Sequence, residues 1–341
     1  MVSRYEQGNS PSSPEKINGN FVGKDILSLD QFDMQSLVHL FEVTETMKDI
    51  AVNARPSDVL RGNIVTLLFY EPSSRTRGSF DAACKQLGGE TIVVENPQQF
   101  SSVAKGESFN DTIRTFEAYS DVIVLRHPQT GSAQKAADAV QIPVINAGDG
   151  GQGEHPTQAL LDLLTIKEAR GSLEGMTGVI AGDLLYGRTT KSLIRGLALY
   201  PGNTLYLLSP QELKLPEKDL QDFSSRGIKL VEIDSEDAIP KDADFWYWTR
   251  VQKERFENPQ DYERVKNRFI VTPDILSRFG GKNTILMHPL PRVGEITEDV
   301  DKDQRAVYLR SQIRNGMYIR MALLGLVLGR ISLPPQGQSQ E

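Results

Sequence analysis

Short runs rich in β-branched and aromatic residues alternate along this chain with stretches whose apolar residues recur at helical spacing. The strand-like runs are residues 64–69, 91–94, 121–125 and 143–146, then 178–181, 204–208, 229–233, 244–247 and 284–287. A strand followed by a helix and another strand returns the chain parallel to itself, so such a series predicts parallel sheets covered on both faces. Nine strands are too many for one comfortable sheet, and the stretch 171–177 interrupts the series. The expected fold class is therefore α/β, with two doubly wound parallel-sheet domains. The clearest helices are 79–87, where Phe80, Ala83, Cys84 and Leu87 share a face before Gly88-Gly89 ends it, and 156–167, with a Leu160, Leu163, Leu164 stripe. An apolar helix over 318–328 comes last. Residues 1–20 and 331–341 are polar and rich in Ser, Pro, Gly and Gln, the composition of disordered tails.

With 341 residues the chain has ample material for two cores, and its formal charge of −7 argues against nucleic acid as the main partner. The lone cysteine, Cys84, excludes a disulfide framework and a thiolate zinc site; its place on an apolar helix face reads as core. The histidines at 39, 127, 155 and 288 have no metal-ligand spacing. No apolar stretch is long enough to span a bilayer, and the N-terminus lacks a charged-then-apolar leader pattern. The expectation is a soluble, cytoplasmic protein with neither nucleic acid nor membrane as partner.

Straight after the 64–69 run stands Ser73-Ser74-Arg75-Thr76-Arg77, immediately before a helix. The first turn of a helix presents N–H groups without intrahelical partners, and its dipole favours an anion. A guanidinium matches phosphate oxygens as a fork, and Ser or Thr adds donors without net charge. The run reads as a phosphate clamp. Taken alone, it also fits a surface Ser/Arg capping box.

Other loops at expected strand ends carry donors, where open α/β sheets bind ligands. Arg126 and His127 follow the third run. Gly148-Asp149-Gly150-Gly151 leads to Glu154-His155-Pro156-Thr157-Gln158. Pro156 suits the first helical position, which sets His155 at a helix N-terminus, where a neutral ring is favoured and can donate to a carbonyl; a simple capping histidine is the alternative. The loop 182–189 is glycine-flanked but lacks G-x-G-x-x-G spacing, so NAD binding is unsupported. Its Arg188 stands where a helix start would hold a carboxylate or phosphate. Thr249-Arg250-Val251-Gln252 and His288-Pro289-Leu290-Pro291-Arg292 follow two further runs, the prolines fixing a loop whose carbonyls can face a cleft. The polar stretch 98–106, with Ser101, Ser102 and Lys105, reads either as a lid over a bound anion or as a mobile surface loop.

In order and spacing these motifs resemble the transcarbamoylases, and among them the aspartate carbamoyltransferase family, over about residues 22–330. The Ser-x-Arg-Thr-Arg motif stands at 73–77 and His-Pro-Thr-Gln at 155–158. Thr-Arg-Val-Gln at 249–252 and His-Pro-Leu-Pro at 288–291 mark the aspartate branch, while the Ser-Met-Gly and His-Cys-Leu-Pro loops of the ornithine branch are missing. The tails resemble the linker ends of a domain from the multifunctional eukaryotic pyrimidine-synthesis protein.

The resemblance implies carbamoyl transfer from carbamoyl phosphate to the α-amino group of L-aspartate, releasing phosphate, in de novo pyrimidine biosynthesis. It implies an interdomain active-site cleft between a carbamoyl phosphate-binding domain at 21–170, joined by a C-terminal helix at about 304–330, and an aspartate-binding domain at 171–303. It implies a homotrimer with active sites shared between subunits, and neither cofactor nor metal. Ser73, Ser74, Arg75, Thr76 and Arg126 would grip carbamoyl phosphate, with Ser101 (or its neighbour Ser102) and Lys105 reaching in from an adjacent subunit. Thr76, Arg126 and His155 would face the oxyanion; Gln158 and the carbonyls of Pro289 and Leu290 would hold the carbamoyl NH2. Arg188, Arg250, Gln252 and Lys105 would bind aspartate, and Glu71 would pair with Arg188 and Arg255 on closure. The chemistry agrees: a dicarboxylate needs two cationic forks, and a second arginine would repel the cationic side chain of ornithine. No residue stands out as a nucleophile or strong base, so catalysis rests on positioning and electrostatics, with the departing phosphate as proton acceptor. An ornithine-type or other transcarbamoylase, and a phosphate-sensing domain without turnover, are the competing readings.

Overall fold

The structure, a computed structural model, describes residues 14–331 apart from 152, 254, 255 and 257. All nine expected strands form, and they form two sheets. The first holds β1 (Ile64–Phe69), β2 (Glu90–Glu95), β3 (Val122–His127) and β4 (Val144–Asp149) in the order β2-β1-β3-β4. The second holds β5 (Thr177–Ala181), β6 (Thr204–Leu208), β7 (Lys229–Ile233), β8 (Phe245–Trp248) and β9 (Ile285–Met287) in the order β7-β6-β5-β8-β9. Every pairing is parallel. The helices are α1 (Met34–Val52), α2 (Ser74–Gln86), α3 (Pro97–Phe100), α4 (Phe109–Glu117), α5 (Ser132–Ala139), α6 (Pro156–Arg170), α7 (Arg188–Leu197), α8 (Glu217–Ser225), α9 (Pro259–Val265), α10 (Pro273–Phe279) and α11 (Ser311–Val327).

In each sheet the chain builds outward to one side and then crosses to the other. The switch falls between β1 and β3 in the first sheet and between β5 and β8 in the second. At such a point neighbouring loops leave in opposite directions and open a crevice beyond the strands' carboxyl ends. Both crevices lie where the sequence concentrates its donors.

Two compact units result, one of residues up to Thr157 and from Gly316 onward, the other Gln158–Asn315. The expected border at 170/171 keeps all of α6 in the first domain, and the expected C-terminal return begins near 304. In the structure both borders fall inside helices. Val300, Ala306 and Tyr308 sit in the core of the second unit with Val179, Trp246, Trp248 and Leu286, which holds that stretch there until α11 is under way. From Gly316 on, α11 serves the first unit. Arg320 donates to Ser79 Oγ at 2.8 Å and stacks 5.0 Å over the Phe80 ring, and Gly23 N donates to Val327 O at 2.8 Å.

The core of the first unit joins Leu68, Ile123, Leu125 and Val144 to the alanine face of α5. β8 is buried along its whole length, as its unbroken Phe-Trp-Tyr-Trp run demands in a sheet covered on both faces. Cys84 is fully buried, donates to Glu90 O at 3.3 Å, and has its thiol pushed up to about 12 by burial, so it is core rather than nucleophile.

The expected tail 1–20 is in part ordered, with Ile17 fully buried and its N–H donating to Gln31 O at 2.8 Å, whereas 1–13 and 332–341 lie outside the described residues. Three further elements differ from the sequence expectation. α2 opens at Ser74, five residues ahead of the expected start at 79, because its first turn carries donors instead of apolar side chains. α11 begins at Ser311 because its first turns bury Gln312 and Asn315 against the polar side chains of Asp162 and Thr165. The stretch 98–106 is no open loop: it comprises the end of α3 and a 3-10 turn, Ser102–Lys105. Among the described residues no helix is long and apolar enough to cross a membrane.

Candidate active site

Parallel pairing sets Phe69 beside Arg126, and Tyr70 N donates to Arg126 O at 2.8 Å, so the end of β3 lies against the turn that opens α2. Ser73 is the N-cap of α2, yet its side chain makes no capping hydrogen bond. That separates the two readings of the 73–77 run. A capping box spends the hydroxyl on the helix, whereas here it stays available beside the first-turn N–H groups. Ser74 and Arg75 are exposed, and Thr76 is buried beneath them. Arg126 is anchored by Nη1 to Ala147 O at 3.1 Å, and Glu71 places a carboxylate oxygen 3.5 Å from its Nε.

The 148–155 loop is tied down by two carboxylates. Asp149 accepts from Gly131 N at 2.9 Å and from Asn146 Nδ2 and Glu154 N, each at 3.2 Å. Glu154 reaches away to accept from Ser28 Oγ at 2.7 Å and Leu29 N at 3.1 Å. Gly150, at φ +58°, must be glycine, since a Cβ there would fall 2.1 Å from Thr130 Oγ1. This frame holds His155, which is 4% exposed, directly before Pro156 starts α6. Gln158, in the first turn, donates through Nε2 to Asp162 at 3.0 Å. Ser101 Oγ bonds within its own turn, donating to Pro97 O at 2.7 Å and accepting from Val103 N at 3.1 Å; Ser102 and Lys105 are exposed.

In the second unit Ala181 pairs with Trp248, and the loops after β5 and β8 interlock. Asp183 N donates to Thr249 Oγ1 at 3.2 Å, and a Cβ on Gly182 would fall 2.2 Å from Thr249 O. Gln252, expected as an aspartate ligand, donates to Asp183 Oδ2 at 3.3 Å and Tyr186 O at 3.1 Å, and so ties the two loops together. Arg188, half-buried, is the first residue of α7; Arg250, also half-buried, stands one residue beyond Thr249. Asp183 is wholly buried. Burial pushes its carboxyl above the usual range, opposed by the hydrogen bonds from Tyr186 and Gln252 and the charge of Arg250.

Beside this crevice runs the strap 288–292, because β9 is β8's neighbour. Leu290 sits at φ +56°, a left-handed conformation that a leucine adopts only under constraint. The constraint is visible: Leu290 N donates to His288 Nδ1 at 2.7 Å, so the ring carries its proton on Nε2 and directs it to Glu295 Oε1 at 2.7 Å. Glu295 Oε2 accepts from Val293 N at 2.9 Å. Beyond the strap, Arg292 forks the Asp301 carboxylate with Tyr308 OH alongside. Burial holds His288 below its ordinary range. Burial also pushes the Glu295 carboxyl up, but the His288 ring and the Val293 amide outweigh it and hold the group low. The pair is neutral histidine and ionised glutamate.

His127, packed 4.5 Å from the Tyr70 ring and 5.3 Å from the Phe109 ring, is likewise held below its ordinary value by burial. A histidine whose folded pKa is depressed stabilises the protein fully above the ordinary 6.5 and progressively less as pH falls through it. The urea midpoint should therefore be lower at about pH 5.5 than at about pH 7.5. His127→Asn should narrow that gap, since an amide oxygen can still accept from Gln129 N; an unchanged gap would place the acid sensitivity elsewhere.

Of the residues expected at the site, Ser73, Ser74, Arg75, Thr76 and Arg126 gather at the first switch point, and Arg188, Arg250 and Gln252 at the second. Pro289 and Leu290 lie on the strap beside it. Arg255 lies outside the described residues. The supporting carboxylates Asp149, Asp162, Asp183 and Glu295 went unnoticed in the sequence reading. Asp149 and Asp183 sat in visible Gly-Asp runs, whereas Asp162 and Glu295 had no local signal at all.

An α/β protein with oxyanion donors at the switch points of both its sheets is built to handle two anionic ligands. The two halves match family domains described as the carbamoyl-P binding domain (residues 24–168) and the Asp/Orn binding domain (residues 174–327) of aspartate/ornithine carbamoyltransferase. The chain belongs to the aspartate/ornithine carbamoyltransferase family. It is 46% identical to the aspartate carbamoyltransferase catalytic subunit of Thermococcus kodakarensis, across 90% of this chain and 97% of that one. It is also 46% identical to the multifunctional protein pyr1-3 of Dictyostelium discoideum over 92% of this chain, and spans 14% of that protein's length. Aspartate transcarbamoylase from Trypanosoma cruzi, solved with N-(phosphonacetyl)-L-aspartic acid, superposes with a TM-score of 0.84 at 38% identity, covering 90% of this chain and 97% of that one.

Proposed function

We infer that this chain is an aspartate carbamoyltransferase, moving the carbamoyl group of carbamoyl phosphate to the α-amino group of L-aspartate and releasing phosphate. The observation that carries the reading is the division of labour between the switch points. One offers an uncapped helix turn with hydroxyls and Arg75, beside Arg126. The other offers two guanidiniums, Arg188 and Arg250. The first suits a phosphate dianion and the second a dicarboxylate.

Attack of the aspartate amine on the carbonyl carbon makes a tetrahedral oxyanion and then breaks the bond to the phosphate oxygen. Thr76, Arg126 and His155 donate to that oxyanion, while Gln158 and the strap carbonyls of Pro289 and Leu290 accept from the carbamoyl NH2. The leaving phosphate takes the amine proton. Each preorganised oxyanion donor is worth on the order of 3 kcal/mol. Lys105, exposed on its 3-10 turn, serves an adjoining subunit of a homotrimer, which sedimentation at micromolar concentration would reveal. The free, buried Cys84 accords with a reducing, cytoplasmic setting. Relatives of two organisations share this span, one multifunctional and long, the other a single catalytic subunit; the reaction belongs to the part they have in common.

The test is direct. Purified protein given carbamoyl phosphate and L-aspartate should yield N-carbamoyl-L-aspartate and phosphate, and L-ornithine in place of aspartate should yield no citrulline. Citrulline without carbamoyl aspartate would move the chain to the ornithine branch, and neither product would leave the phosphate-sensing reading.

A further inference from the structure

Deep in α6 lies a carboxylate that the reaction does not touch. Asp162 is wholly buried, and its oxygens are met by three side-chain donors: Gln158 Nε2 at 3.0 Å, Gln312 Nε2 at 2.7 Å and Tyr247 OH at 2.9 Å. Gln312, itself 2% exposed, turns its other end to the strap, where Oε1 accepts from His288 N at 3.0 Å. All of these residues belong to the second unit.

A carboxylate without a proton only accepts, so it decides which end of each neighbouring amide faces it. Gln158 must present nitrogen to Asp162, which leaves its Oε1 as an acceptor. Gln312 must do the same, which leaves Oε1 to anchor the backbone at the root of the strap. Tyr247 is a secure donor, because burial pushes its phenol well above the ordinary range. One buried charge thus orients a side-chain acceptor and ties down the loop bearing two backbone acceptors. On the function proposed above, those are the groups that receive the carbamoyl NH2.

We propose that Asp162 is the positioning residue for recognition of the carbamoyl amino group, fixing Gln158 directly and the 288–290 strap through Gln312. Both glutamine nitrogens meet the same oxygen, Oδ1, while Tyr247 OH meets Oδ2. Asp162→Leu, close to Asp in shape, would therefore remove the acceptor they share and leave either glutamine to turn. If Gln158 turns, NH2 meets NH2. If Gln312 turns, the strap loses the bond to His288 N.

The decisive comparison is between carbamoyl phosphate and acetyl phosphate, which carries a methyl where the substrate carries NH2. In Asp162→Leu, kcat/KM for carbamoyl phosphate should fall about 30-fold, while inhibition by acetyl phosphate and by inorganic phosphate stays within about twofold of the parent chain. Equal weakening for all three ligands, or no weakening in a folded variant, would overturn the proposal. Should Asp162→Leu not fold, Tyr247→Phe removes one donor with little change of shape. It should reduce the preference for carbamoyl over acetyl phosphate by about threefold, and an unchanged preference would overturn the proposal equally. Failure of the parent chain to make carbamoyl aspartate would count against the proposed function instead, so the two failures are distinguishable.

Discussion

Arg75→Ala should lower kcat/KM for carbamoyl phosphate on the order of 10³-fold and leave the thermal midpoint where it was. The two halves of that expectation come from the same placement. Arg75 lies exposed in the first turn of α2, where Ala is an equally good helix former, so its removal costs the fold little. On the proposed function its guanidinium forks the phosphate, whose charge builds as the bond to the leaving group breaks. Loss of a charge-assisted fork to such a group costs about 3–4 kcal/mol of transition-state stabilisation. Arg75→Lys restores charge without the fork and should recover only part of the rate. Steady-state kinetics and a thermal melt settle the matter together. A fall of less than about tenfold, or a rate loss matched by a collapse in stability, would remove Arg75 from the clamp.

Arg250→Ala should raise KM for L-aspartate by about 10²-fold and leave the affinity for carbamoyl phosphate unchanged. Arg250 follows Thr249 just beyond β8, in the second unit, whereas the turn proposed to hold the phosphate, residues 73–76, belongs to the first. A variant that loses one half of the substrate pair and keeps the other distinguishes two specialised crevices from one diffuse basic surface. Equilibrium dialysis with carbamoyl phosphate alone, beside kinetics in aspartate, gives both numbers. Parallel loss of both ligands would indicate collapse of the loop pair at Asp183 rather than loss of a carboxylate fork. Asp183 makes that a fair control, because it is wholly buried and Arg250 is one of the charges that offset its burial.

Strand positions came easily from the sequence because a buried parallel strand is a run of apolar residues with nothing else it can become. Ile64–Phe69 and Phe245–Trp248 are such runs. The helix start at Ser73-Ser74 was legible for a related reason: it is a local event, and the donors gathered there are neighbours in the chain. Polar burial was not legible. Asp162 looks like any acid in a helix until Tyr247 and Gln312, 85 and 150 residues away, are seen to donate to it. Glu295 looks like a surface residue until His288 turns toward it. The stretch 98–106 read as a loop because its short turns are capped by backbone and serine contacts rather than by apolar periodicity.

The chain's own order of residues determined the parallel strands, their division into two sets and the donors that follow them, since these rest on local pattern and short-range backbone geometry. The order of strands in each sheet, and with it the point where each changes direction, is a long-range pairing that only folding makes. Only tertiary structure decided where the units divide, which carboxylates are buried, and which way each amide and imidazole faces. Those outcomes depend on removing charge from water, and a charge is removed from water only by partners that folding brings from far along the chain.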